Sequence, residues 1–238
     1  MSYLEDGYIT DRPVAQAMPA ERVAFIRKTY AHVAGAILVF ALIETVLIKG
    51  GFAEDIIRSL FRGNAAMLVL LLVFIGGGYL AQYWAQSATS KAMQYAGLGL
   101  YIVLQAIIML PLLWIAATQL NDPTIIPKAG LLTLGVFAGL TMTVFFTGKD
   151  FSFLGPALFV AAWLGVAIIV IALLFGLNLG TWFSFAMIGL AAAYIIYDTS
   201  NVMRHYRSDQ YVSAALQLFA SVALMFFYVL RLFLSNRD

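Results

Sequence analysis

The chain has 238 residues, of which 63% are hydrophobic and 11% charged, with a net charge of +2 and no cysteine. A soluble domain carries roughly 25% charged residues, so this composition cannot cover a soluble surface and points to an integral membrane protein. The small net charge gives no footing for nucleic acid, and the absence of cysteine excludes disulfides, thiol catalysis and cysteine-ligated metals.

Residues 1–20 are polar, contain Pro13 and Pro19, and read as a tail. The first 30 residues have no apolar core of the kind a cleavable signal needs. Glu21 to Tyr30 is short and amphipathic and reads as an interfacial lead-in. Seven apolar segments follow, over 31–48, 65–84, 92–117, 129–147, 154–175, 181–200 and 212–234. Each approaches the roughly 20 residues that a spanning helix requires, and none alternates as a barrel strand would. The expectation is an all-α integral membrane protein with seven transmembrane helices in one compact bundle. It divides into a tail and lead-in over 1–30, the seven-span domain over 31–234 and a short tail over 235–238.

The longest connection, 49–64, carries Phe52, Ile56, Ile57, Leu60 and Phe61 on one helical face, which predicts a short helix lying on the membrane. The other connections are hairpin-sized, so neighbouring spans run antiparallel. Placing the N-terminus inside puts eight of the 14 Lys and Arg residues on the inner side, an excess that favours a cytoplasmic N-terminus. Gly135 and Gly139 in span four form a GxxxG pattern, and Ala31 and Gly35 a related one in span one. Both read as close packing within the monomer. Gly76 to Gly78 and Pro111 mark kinks or tight contacts.

Two acids interrupt the spans. Asp198 lies 17 residues after Thr181, about 26 Å along an inward-running helix, close to the inner face. Glu44 lies 13 residues after Ala31, about 20 Å along span one, nearer the outer face, so the two are not expected to pair. A carboxylate at this depth costs a few kcal/mol or more and needs a partner or a function. For Asp198 the plain reading is a locally hydrogen-bonded interfacial acid. The sharper reading is a proton- or cation-sensitive latch. For Glu44 the alternatives are a protonated or hydrogen-bonded acid, one near the outer headgroups, or a carboxylate lining an outer vestibule.

His32 and His205 sit at span ends without paired metal-ligand spacing. The last span has no Schiff-base lysine, no second catalytic aspartate accompanies Asp198, and no histidine is centred in a span. Retinal, aspartyl-protease and rhomboid chemistry are therefore not expected, and neither a catalytic residue nor a cofactor or metal is assigned.

Tyr194-Ile-Ile-Tyr-Asp-Thr199, followed by Arg204, His205 and Arg207, resembles the sixth span of the Bax-inhibitor family of seven-span membrane proteins. Phe25–Tyr30, Thr147–Leu154, Ala215–Phe219 and Leu230–Phe233 are similar to its other motifs, in order, along about 200 residues. The resemblance implies a seven-helix fold with a central sixth helix. It also implies two facing aspartates, in spans six and seven, that latch a calcium leak pathway in a proton-sensitive way. Some bacterial members instead modulate the ATP-dependent quality-control protease of the membrane. The first aspartate carries over to Asp198. Ser221 stands where the second belongs, and Leu224 where an asparagine is usual. Calcium prefers six to eight oxygen ligands, so Asp198 with Ser221 is a poor calcium site, and a pH-dependent hydrogen bond is what is left. Two expectations result for a bacterial inner-membrane protein whose first partner is the lipid bilayer. One is a pH-sensitive cation leak with a degenerate latch. The other is a non-transporting regulator or subunit of a membrane assembly such as the quality-control protease, docking through the N-terminal tail and residues 52–62.

Overall fold

A computed structural model describes residues 13–120 and 122–235. It contains eight α-helices: α1 (Pro19–Lys49), α2 (Phe52–Leu60), α3 (Gly63–Ala85), α4 (Lys91–Thr118), α5 (Ile125–Thr147), α6 (Gly155–Phe175), α7 (Gly180–Arg204) and α8 (Tyr211–Ser235). All except α2 are long and apolar enough to cross a membrane, so α1 and α3 to α8 are the seven expected spans. Short 3-10 turns at Val14–Gln16 and Ser152–Leu154 precede α1 and α6.

The lead-in and the first span are one helix. Proline at the first position pre-sets the helical backbone, and Phe25, Thr29 and Val33 then repeat every four residues on one buried face. That face packs with Val202, Ala214, Ala215 and Leu218, so the amphipathic stripe meets protein instead of lying along the headgroups. Upstream of it, Val14 is fully enclosed and donates its backbone N–H to the Tyr206 carbonyl at 2.8 Å. Residues 13–17 are thus docked on the loop between α7 and α8, whereas most of the expected tail, including Arg12, and residues 236–238 lie outside the described residues. The 52–60 segment forms its helix, starting after Gly51 at φ +80°. It buries Ala53 and exposes Phe52 and Leu60.

The most enclosed helix is α8, not the sixth span that the resemblance implies. It packs against α7, α1, α5 and α4. Ala214, Ala215, Leu218 and Met225 have no exposed surface. In lipid there is little hydrophobic drive between helices, and small side chains that admit close approach take over that role. Ser213, Ala214, Ala215, Ser221 and Ala223 supply them on α8. The sixth span, α7, is buried mainly in its C-terminal half; Trp182 and Phe185 near its start face outward at 85% and 50% exposure.

The glycine patterns divide the same way. A methyl group at Gly97 would lie 2.4 Å from the Ala81 carbonyl oxygen, so this glycine sets the close crossing of α3 and α4. At Gly35, Gly135 and Gly139 a methyl group would meet nothing within 4 Å. Both small-residue patterns therefore face away from the monomer, contrary to the expected internal packing, because α5 turns Ala129, Thr133, Thr141 and Val144 to the core instead. Among the other marked positions, α4 continues as a helix through Pro111.

Candidate functional site

Three consecutive residues near the C-terminal end of α7 organise the site. Successive helical residues are about 100° apart, so Asp198, Thr199 and Ser200 address three different neighbours. All three are buried. Asp198 meets α8, where Ser221 Oγ–H donates to Asp198 Oδ2 at 2.5 Å. Thr199 turns toward the Tyr30 hydroxyl of α1, which Thr141 of α5 also faces, although none of these three hydroxyls makes a regular hydrogen bond among the described residues. Ser200 Oγ accepts the Phe151 N–H at 2.9 Å and lies 3.4 Å from Asp150 Oδ1.

The loop after α5 completes this grip on α7. Arg204 donates to the Gly148 carbonyl, and His205 Nε2 lies 3.8 Å from Asp150 Oδ2. Asp150 also accepts the Ser152 N–H at 2.9 Å. That backbone bond is the chief cause holding its carboxyl below the usual carboxylate range, helped by the Ser152 hydroxyl and by His205 and Arg204. Nearby, burial pushes the Tyr206 phenol above its ordinary value, with the Asp198 charge as the second cause. Tyr206 therefore stays an O–H group beside the site.

Asp198 lines two adjoining cavities. One, termed the inner chamber and of about 470 Å³, extends toward the C-terminal end of α7 past Tyr197, Asn201 and Tyr206. The other, termed the outer chamber and of about 460 Å³, extends toward the N-terminal half of α7 past Met187, Leu224, Phe227 and Tyr228. Phe74, Gln82, Tyr101, Tyr194 and Gln217 border both. The helix register fixes their levels: from Ser221 to Tyr228 on α8 is about 10 Å, and from Asp198 back to Met187 on α7 about 16 Å, at 1.5 Å per residue. Asp198 thus stands where the inner and outer chambers meet. Its other oxygen, Oδ1, has no hydrogen-bond partner among the described residues. Nor do the carboxamides of Gln82, Gln105 and Gln217, none of which is a sealed polar group. A buried but reachable polar ring of this sort is a place for water or a cation.

Of the residues singled out from sequence, Asp198 and Ser221 come together. Glu44 does not join them. Tyr30 of α1 is level with Thr199, and Glu44 is 14 residues further along the same helix, about 21 Å away at the helical rise. Glu44 is 4% exposed, and both its carboxylate oxygens are enclosed without a hydrogen-bond partner among the described residues. His32 bridges its helix to α4, pairing Nδ1 with the Lys28 carbonyl at 2.7 Å and Nε2 with the Tyr95 hydroxyl at 2.9 Å. Among the described residues no three His, Asp or Glu side chains are grouped so as to hold a metal. The sequence reading passed over Gln82, Tyr101, Gln105 and Gln217. A signal was present, since three glutamines inside apolar spans are polar groups that call for partners.

A family profile described as inhibitor of apoptosis-promoting Bax1 matches residues 22–238. Bax inhibitor 1 of Schizosaccharomyces pombe is 29% identical, over 98% of this chain and 85% of its own length. Protein LIFEGUARD 1 of Arabidopsis thaliana is 30% identical, over 88% of each chain. The Golgi anti-apoptotic protein of vaccinia virus (strain Lister) is 26% identical, over 97% of this chain and 93% of its own. The chain belongs to the Bax inhibitor family of multi-pass membrane proteins.

Proposed function

We propose that this protein is a pH-sensitive cation leak pathway whose latch is the single carboxylate of Asp198 held by Ser221. The observation that carries the reading is the position of Asp198: buried, bonded to one hydroxyl of α8, and set between an inner and an outer chamber. The neutral acid tolerates a dry, closed contact between α7 and α8. The ionised acid is costly in that setting and draws in water or a cation to offset its burial. Flux then rises with pH as Asp198 loses its proton. Gln82, Tyr101, Gln105 and Gln217 add neutral oxygens around the one negative charge, so a cation is held weakly and released readily, as conduction requires. Calcium, which favours several carboxylates, passes slowly through such a site.

In this reading the N-terminus and the 148–152 loop are cytoplasmic, as the Lys and Arg distribution favours, and the membrane is a bacterial inner membrane. Calcium influx into proteoliposomes at pH 6 and pH 8 tests the proposal, with Asp198→Asn as the permanently neutral control. Influx above empty vesicles that grows from pH 6 to pH 8 and is lost in the variant supports it. Influx equal to that of empty vesicles at both pH values rejects it.

A further inference from the structure

The two chambers differ in a way that a leak pathway alone does not require. The outer chamber is largely apolar, walled by Leu71, Met187, Leu224 and Phe227, and its polar groups, the Tyr228 phenol apart, gather toward the Asp198 end. Its volume of about 460 Å³ lies within the roughly 300–1,000 Å³ of small-molecule sites, which share this pattern of apolar walls with a few convergent polar groups. The inner chamber has a rim on the lipid side: Tyr79 of α3 and Phe159 and Trp163 of α6 line it while being 57%, 59% and 45% exposed. Exposed faces of spanning helices meet lipid, so the chamber opens sideways into the bilayer between α3 and α6.

The geometry points to a binding site for a single-tailed hydrophobic amine, a cationic amphiphile that enters from the membrane between α3 and α6. Its ammonium group meets Asp198 Oδ1, the oxygen that Ser221 leaves unpaired, and the carboxamide oxygens of Gln82 and Gln217. Its tail fills the outer chamber. An ammonium group has three donors and no acceptor, which suits a carboxylate flanked by amide oxygens. A tail already dissolved in lipid gains little from moving into another apolar space, so the headgroup decides affinity. The amine need not be primary, since the carboxylate supplies charge as well as an acceptor. The inference rests on the reading of Asp198 as a reachable carboxylate, but not on transport: a bound amine plugs the passage between the chambers.

Binding of radiolabelled n-octylamine and of n-octanol to the purified protein in phosphatidylcholine nanodiscs tests this without any flux measurement. The tails are matched and only the headgroup differs. Octylamine binds about tenfold or more tighter than octanol, the scale of a hydrogen bond to a charged group, and Asp198→Asn removes the difference. Ala220→Phe, which fills the outer chamber from α8 and leaves Asp198 in place, lowers octylamine binding by a similar factor. Equal binding of amine and alcohol to the wild type overturns the proposal, as does an Ala220→Phe variant that binds octylamine normally. Should Asp198→Asn fail to fold, as judged by gel filtration and helicity, those two comparisons decide alone. Octylamine binding without calcium influx rejects the leak and keeps the amine site; influx without selective binding does the reverse.

Discussion

Asp198 and Glu44 are both acids inside spans, and they are almost equally enclosed, at 6% and 4% exposure. Their surroundings are opposite. Asp198 has a hydroxyl on one oxygen, open polar space on the other and three carboxamides nearby. Glu44 has both oxygens sealed and unpartnered among the described residues. Burial alone therefore does not identify a site. What separates the two acids is whether the surroundings can answer a charge: around Asp198 they can, with donors, amide oxygens and room for water, and around Glu44 they cannot.

Stability should divide the two acids most clearly. Ser221→Ala leaves a buried carboxyl oxygen without its donor and should cost about 1–3 kcal/mol, read as a lower thermal midpoint in detergent micelles. Glu44→Leu removes an unsatisfied polar group and should leave the midpoint unchanged or raise it. A fall for Glu44→Leu as large as that for Ser221→Ala would mean that Glu44 has a partner in the folded protein. The glycines offer a second contrast. Gly97→Ala forces a methyl group against the Ala81 backbone and should cost about 1–3 kcal/mol, as overpacking does. Gly135→Ala meets open space and should stabilise α5 by up to about 1 kcal/mol through helix propensity. Parallel melts of the two variants compare them directly. If Gly135→Ala destabilises the protein instead, that face of α5 is covered by something in the membrane.

The smallest effect is expected at the loop that grips α7. Asp150 is held below the usual carboxylate range, so its contribution is fully present above the ordinary carboxylate value. It is lost only as pH falls through the lowered folded value. Hydrogen exchange of the Phe151 amide should therefore stay slow from pH 8 to pH 5, once corrected for intrinsic rates. It should quicken only in stronger acid, and Asp150→Asn should quicken it throughout. Protection already lost at pH 6 would mean that the Asp150 carboxylate does not hold the loop.

The helices were legible because each span is a continuous apolar run of a length set by the bilayer, and seven such runs leave little freedom. Asp198 was legible as a charge out of place, and Ser221 through the motif around Ala215–Phe219. The cavity was not. Gln82, Gln105 and Gln217 come from three helices, and their convergence depends on how those helices are rotated and crossed, which a hydrophobic run does not encode. The same limit applies to α1, where an amphipathic stripe looks identical whether it meets headgroups or Ala214 and Leu218. It applies again to Gly135 and Gly139, whose spacing permits close approach but does not say on which side.

The central claim is that Asp198 alone gates the passage between the chambers. Calcium influx into proteoliposomes, compared at pH 6 and pH 8 for wild type, Asp198→Asn and Glu44→Gln, tests it most directly. The account predicts influx that rises with pH in the wild type and in Glu44→Gln, and influx at the empty-vesicle level in Asp198→Asn. An Asp198→Asn protein that leaks like the wild type, with the same pH dependence, would contradict it.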